Sequence, residues 1–243
     1  MIAGASQWIG TRQKQEDVYR LRFFPEGGLA LVCDGMGGHR DGAMAAAVAA
    51  EAFVENFAES DIASVTERLL ESLDAANDAV GELFAGCGHG GGTTLLAVFV
   101  GGGILRWVSV GDSALLLWRH GRLIRLNEDH SMRGLLQRYL PSGEEAARSG
   151  AAHMLRSAVM GDDIELVDAP PTPFPLLPGD RLILCSDGAD AVLVPGLPRG
   201  ELAELLENRD MQNPAAALVE LCRRRADDAP ADNTTIVVLD ALT

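Results

Sequence analysis

The chain has 243 residues, 47% of them hydrophobic, so a full core can be built, and no apolar run approaches the ~20 residues needed to span a bilayer. Acidic residues outnumber basic ones 35 to 20, a formal net charge of −15, and such a surface repels the phosphate backbone of nucleic acids. Four scattered cysteines with no Cys-x-x-Cys pair argue against a zinc site or a disulfide framework and leave reduced, mostly buried thiols.

In chain order, "MIAGASQWIGTRQ" has no basic stretch leading into an apolar one. It is not read as a signal peptide, and the expectation is a soluble cytoplasmic protein. Strands are predicted at "DVYRLRFF" (17–24) and "GLALVCD" (28–34). Two long helices follow. The first, 41–59, is Ala-rich; the second, 62–84, repeats Ile62, Val65, Leu69, Leu73, Ala76 and Val80 at helical spacing. The glycine-rich "GCGHGGGTT" (86–94) has no Lys for a phosphate loop and reads as a loop entering the strand "TTLLAVFV" (93–100). Further strands fit 104–112, 114–121, 122–126, 180–187 and 234–240, with a hairpin at Gly121. Short helices fit 200–208 and 214–226, the latter with Asn213 as cap and Pro214 in its first turn. The run Arg223-Arg224-Arg225 reads as the solvated end of that helix, where cations suit the dipole.

Two consecutive helices among many hairpin strands favour an α+β fold over a doubly wound parallel sheet. Two antiparallel sheets packed as a central sandwich, flanked by pairs of helices, would bury every apolar stripe. With no repeat and no long linker, residues 1–243 are read as one domain.

Five segments place an Asp at the edge of a strand, beside Gly or a small polar residue: "QEDVYRL" (Asp17), "LVCDGMGG" (Asp34), "SVGDSALL" (Asp112), "ILCSDGAD" (Asp187) and "ADNTTIVVL" (Asp232). Asp-Gly is ordinary turn chemistry, and for any one of these that explanation suffices. For five together it weakens, because clustered carboxylates repel unless cations neutralise them. With five His and no paired thiols, the inventory suits an oxygen-ligated hard cation such as Mg²⁺ or Mn²⁺.

At these motifs the chain resembles the metal-dependent Ser/Thr protein phosphatases of the PP2C (PPM) type, in their compact bacterial form. The resemblance runs in order through "GTRQKQED" (10–17), "DGMGGH" (34–39), "GGTTLL" (91–96), "VGDSALLL" (110–117), "NEDHS" (127–131), "LRSAVMG" (155–161), "LPGDRLILCSDG" (177–188) and "DNTTIVVL" (232–239). It implies that Asp34 bridges two ions, with the Gly35 carbonyl on one of them, and that Asp187 and Asp232 hold the other. Glu16 and Asp17 would act near the first ion, partly through water. Asp112, shared with Asp187, would help hold a third, weaker ion. Arg12 would grip the substrate phosphate. The implied reaction is hydrolysis of phosphoserine or phosphothreonine on proteins, by a water that two Mn²⁺ or Mg²⁺ ions activate for in-line attack. Implied substrates include a Ser/Thr kinase or its targets, and a monomer is expected. His39 reads equally as a proton donor to the leaving group or as a residue orienting the 41–59 helix. His130 and His153 read as surface or structural. The segment 131–153 aligns with the variable flap beside the active site.

Gln15 stands where the motif usually has Asn, and Ser157 and Met160 where Thr and Leu are commoner. A cysteine phosphatase would need Cys-x5-Arg, whereas six residues separate Cys33 from Arg40. The remaining rival is a regulatory module on the same fold that binds a kinase or phosphoprotein without turnover. The intact set Asp17, Asp34, Asp187 and Asp232 argues against it.

Overall fold

The computed structural model describes residues 2–37, 41–133, 136, 154–227 and 229–241. The expected flap lies outside them except for 131–133 and 136, and so do His39 and His153. Chain order is β1 (Ile2–Trp8), β2 (Asp17–Phe24), β3 (Gly27–Met36), α1 (Asp41–Glu59), α2 (Val65–Phe84), β4 (Gly92–Thr93), β5 (Leu95–Gly101), β6 (Ile104–Val110), β7 (Ala114–Arg119), β8 (Arg122–Arg125), β9 (Phe174–Pro175), β10 (Arg181–Cys185), α3 (Glu201–Glu207), α4 (Pro214–Ala226) and β11 (Thr234–Asp240).

Every pairing within the two sheets is antiparallel. One sheet has the order β1-β11-β10-β7-β8; the other runs β2-β3-β5-β6-β9, with β4 on β3. Period-2 alternation sorts the side chains. On β3, Ala30 and Val32 meet Leu115, Leu184 and Val237 of the facing sheet. Leu29, Leu31 and Cys33 on the opposite face pack under Phe53, Phe57, Leu69 and Leu73 of α1 and α2. The other sheet is covered in the same way: Leu116, Ile183 and Ile236 lie beneath Leu206, Leu218 and Cys222 of α3 and α4. The four layers are the expected helix-flanked α+β sandwich.

The differences from the predicted elements have local causes. β1 was not predicted; its small residues give no apolar run, and it is an edge strand held in register against β11. The 93–100 strand divides, because Thr93 bonds Val159 across an isolated bridge while Leu95 onward forms β5, paired with β6 and β3. The second helix starts at Val65 rather than 62, since the Ser64 side chain accepts from Glu67 N and caps it there. The hairpin turn is His120-Gly121, both with positive φ, 51° and 75°. Asn213 caps α4 by accepting from Ala216 N at 3.1 Å. Cys33, Cys185 and Cys222 are buried free thiols, and Cys87 is exposed.

Topology brings distant carboxylates to one end of the sandwich. Asp17 and Asp34 are direct partners on β2 and β3. Antiparallel pairing of β10 with β11 puts the exit of one beside the entrance of the other, so Asp187 and Asp232 leave the same end. Asp112 sits in the turn where the chain crosses from β6 in one sheet to β7 in the other.

Candidate metal and phosphate site

A cavity of about 320 Å³ opens at that end. Its wall includes Glu16, Asp34, Gly35, Asp112, Asp187 and Asp232, with Arg12 at its edge. Seven of the eight residues expected at the site therefore line one cavity; Asp17 lies behind it, buried. Among the described residues, no three His, Cys, Asp or Glu groups already stand as a closed metal cluster. The carboxylates are spread around the cavity wall.

Each is positioned by neighbours the sequence names. Asp34 ends the apolar part of β3. Its N–H donates to the Thr94 hydroxyl at 3.0 Å, and its carbonyl accepts from Thr94 N at 2.9 Å and from the Thr93 hydroxyl at 3.0 Å. The "GGTTLL" motif is thus the clamp on Asp34. Asp17 Oδ2 accepts from the Ser186 hydroxyl at 2.7 Å and the Thr235 hydroxyl at 2.6 Å, which ties the two sheets together. Its Oδ1 is buried without a hydrogen-bond partner among the described residues. Gln15 Oε1 accepts from Asp17 N at 3.1 Å, so the Gln at that position keeps an acceptor for the turn.

The "NEDHS" motif supports the Asp112 turn. Asn127 accepts from Leu115 N at 2.8 Å and donates to Ser113 O at 2.9 Å, and Arg125 donates to Asp112 O at 2.8 Å. His130 is buried and structural. Its Nδ1 accepts from Gly111 N at 3.2 Å, which requires the neutral ring, and burial lowers its pKa accordingly.

Electrostatics records the crowding. Burial, then the charges of Asp17, Asp187, Asp112 and Asp232, push the Asp34 carboxyl well above the ordinary carboxylate range. Burial, then Asp187, Asp129 and Asp190, push Asp112 to about 7. Burial raises Asp17, against the lowering effect of its hydrogen bonds from Thr235 and Ser186. Burial also pushes the Cys33 thiol far up, which makes it inert as a nucleophile.

Two parts of the site were not singled out from sequence. Asn233, next to Asp232, accepts from Glu16 N at 2.7 Å and donates to Ile9 O at 2.9 Å and Lys14 O at 3.0 Å. It holds the loop that carries both Arg12 and Glu16. The signal was present as the amide in "DNTT", which no turn rule requires at that point. The second is Thr94, legible only as part of the Thr pair. Gly35 has a reason beyond an accessible carbonyl: a Cβ there would lie 2.3 Å from Gly42 O and 2.7 Å from Glu16 O, so β3 is pinched between α1 and the loop. Arg12 is exposed, and its Nη2 donates to Asp232 Oδ2.

Comparison with known proteins agrees with this architecture. The Protein phosphatase 2C family profile matches residues 6–223. The serine/threonine protein phosphatase PstP of Mycobacterium tuberculosis is 30% identical over 224 residues, 88% of this chain and 40% of PstP. The chain therefore spans well under half the length of that relative. Among solved structures, the Streptococcus agalactiae serine/threonine phosphatase superposes with a TM-score of 0.84 at 25% identity, covering 98% of this chain and 99% of that one. The catalytic domain of PstP in complex with 2 manganese ions gives a TM-score of 0.77 at 27% identity, covering 99% and 98%. With the profile spanning most of its length, this chain belongs to the protein phosphatase 2C family.

Proposed function

We propose that the chain is a metal-dependent protein phosphatase that hydrolyses phosphoserine and phosphothreonine on proteins. One observation carries the reading. Five carboxylates from separate segments, Glu16, Asp34, Asp112, Asp187 and Asp232, line one small cavity with a guanidinium at its edge. Membership of the family, and the two manganese ions in the PstP catalytic domain, support it.

The donors fit hard divalent cations. All are oxygens, they crowd like charges that a cation would neutralise, and the buried Oδ1 of Asp17 lacks a partner among the described residues. On this reading Asp34, the Gly35 carbonyl, Asp187 and Asp232 would hold two Mn²⁺ or Mg²⁺ ions. Glu16 and Asp17 would support the first, and Asp112 with Asp187 a third. Bound there, the cations would supply Lewis-acid activation of the phosphoryl group and of water.

The protein's own residues do the rest. Arg12 presents a planar fork that matches phosphate oxygens, and a phosphoryl group would draw it from its present partner Asp232. Asn233 fixes the loop from which Arg12 and Glu16 project. Thr93 and Thr94 hold the Asp34 backbone, so that its carboxylate is placed before any ligand arrives. The same reading takes residues 1–243 as one monomeric catalytic domain, acting on phosphoproteins that include a Ser/Thr kinase or its targets.

The test is hydrolysis of p-nitrophenyl phosphate and of a phosphothreonine peptide with Mn²⁺ and with EDTA. Turnover is expected only with the metal, and Asp187→Ala should abolish it. Metal-independent turnover, or full activity in Asp187→Ala, would overturn the assignment.

A further inference from the structure

A larger cavity, about 880 Å³, adjoins the carboxylate cavity and shares Arg12, Asp187 and Asp232 with it. Its remaining walls differ in kind. Trp8, Val192, Ala226 and Pro230 give it an apolar floor, drawn from the end of β1, the turn after β10, the last turn of α4 and the loop before β11. A phosphoryl group needs no more than the small cavity; the larger one has the size of a site for several side chains.

Charge identifies the occupant. In a chain of net charge −15, the charges of this groove are mostly answered within the protein. Arg12 faces Asp232, and Asp190 accepts from Arg133 at 2.7 Å. In the last turn of α4, Arg223 is closed by Glu220 and Arg224 by Glu201. Arg225 lines the groove, is exposed, and is in no ion pair among the described residues. A cation at a helix C-terminus needs no further purpose by itself. One facing an apolar groove that runs into a phosphate site, held by no close ion pair among the described residues and only attracted at longer range by Glu201, leaves a positive charge available where a substrate chain must pass.

We propose that this groove seats the polypeptide flanking the phosphorylated residue, and that it selects substrates carrying an apolar residue and an acidic side chain beside the phosphoserine or phosphothreonine. The apolar residue lies on Trp8 and Val192, and the acidic one meets Arg225. This rests on the phosphatase reading and adds a substrate preference to it.

The test compares phosphothreonine peptides of equal length whose flanks carry Leu with Glu, Gly with Glu, or Leu with Lys, on Mn²⁺-loaded wild type, Arg225→Glu and Arg225→Lys, with p-nitrophenyl phosphate as the small control. Wild type should favour Leu-Glu over Leu-Lys by about fivefold in kcat/KM, expressed in KM, as expected of one exposed charge pair. Gly for Leu should raise KM. Arg225→Glu should cancel or reverse the charge preference, Arg225→Lys should keep most of it, and all three proteins should hydrolyse the small control alike. Equal rates on the three peptides would overturn the proposal. So would a loss in Arg225→Glu that is the same for peptides and control. No turnover of the control by wild type would overturn the phosphatase reading instead. In that case fluorescence-anisotropy binding of the same peptides decides the groove: a Leu-Glu preference lost in Arg225→Glu supports it, and none refutes it.

Discussion

Asn233→Ala is the sharpest perturbation the site offers, because one buried amide holds the loop that bears Arg12 and Glu16. The substitution removes three hydrogen bonds, from Glu16 N at 2.7 Å and to Ile9 O and Lys14 O at 2.9 and 3.0 Å. At about 0.5–1.5 kcal/mol each, the loss is about 3 kcal/mol. The loop keeps a second attachment, Thr11 to Ala231 through bonds of 3.0–3.1 Å, so it should loosen without detaching. In urea, with EDTA present, a slope near the top of the usual range (about 3 kcal/mol/M) converts this to a midpoint lower by about 1 M, with the slope unchanged. KM for p-nitrophenyl phosphate should rise alongside, since Arg12 moves with the loop. A midpoint within about 0.3 M of wild type, together with an unchanged KM, would refute the reasoning and assign the loop's order to its other attachments, such as Thr11 to Ala231 and Glu16 O to Gly35 N.

Arg12→Ala should separate function from stability: its exposed pair with Asp232 is worth less than about 1 kcal/mol, while KM should rise, and a large loss of stability at unchanged KM would contradict the role given to it. Gly35→Ala drives a Cβ into backbone atoms on two sides, 2.3 Å from Gly42 O and 2.7 Å from Glu16 O. It should cost at least about 2 kcal/mol in a urea melt, and wild-type stability there would show that β3 is not pinched. The metal-free protein should lose stability as pH rises, because the raised Asp112 and Asp34 carboxyls outweigh the opposite contribution of the lowered His130 ring. Asp112, at about 7 in the fold against an ordinary 3.8, binds its proton more tightly when folded, so its contribution is full below about pH 4 and is lost by pH 7; a urea midpoint that rises from pH 5 to pH 8 in EDTA would reject this. Mn²⁺ at about 100 times its Kd should restore about 2.7 kcal/mol at pH 8, and no shift in the midpoint would argue against a cation site.

The parts of this molecule legible in sequence are those where one residue type answers one physical demand. β2, α1, α4 and β11 appear with the predicted boundaries, because alternation, alanine content and the Asn213-Pro214 cap each act locally. Asp34, Asp112, Asp187 and Asp232 were visible because a carboxylate at the end of an apolar strand is out of place unless something charged sits against it. β1 was not visible, because an edge strand of small residues depends on β11, more than 200 residues away, for its existence. Asn233 was not singled out for the same reason. Its three partners lie 217 to 224 residues off, and nothing in "DNTT" says that an amide there must reach back to the start of the chain. The groove follows this logic further, since its floor joins Trp8 to Val192, Ala226 and Pro230, none remarkable in its own segment. The gathering of carboxylates at one end of the sandwich was therefore readable from composition and position. The groove beside that cavity is a surface assembled from both ends of the chain, and no local pattern encodes it because it exists only where β1 pairs with β11.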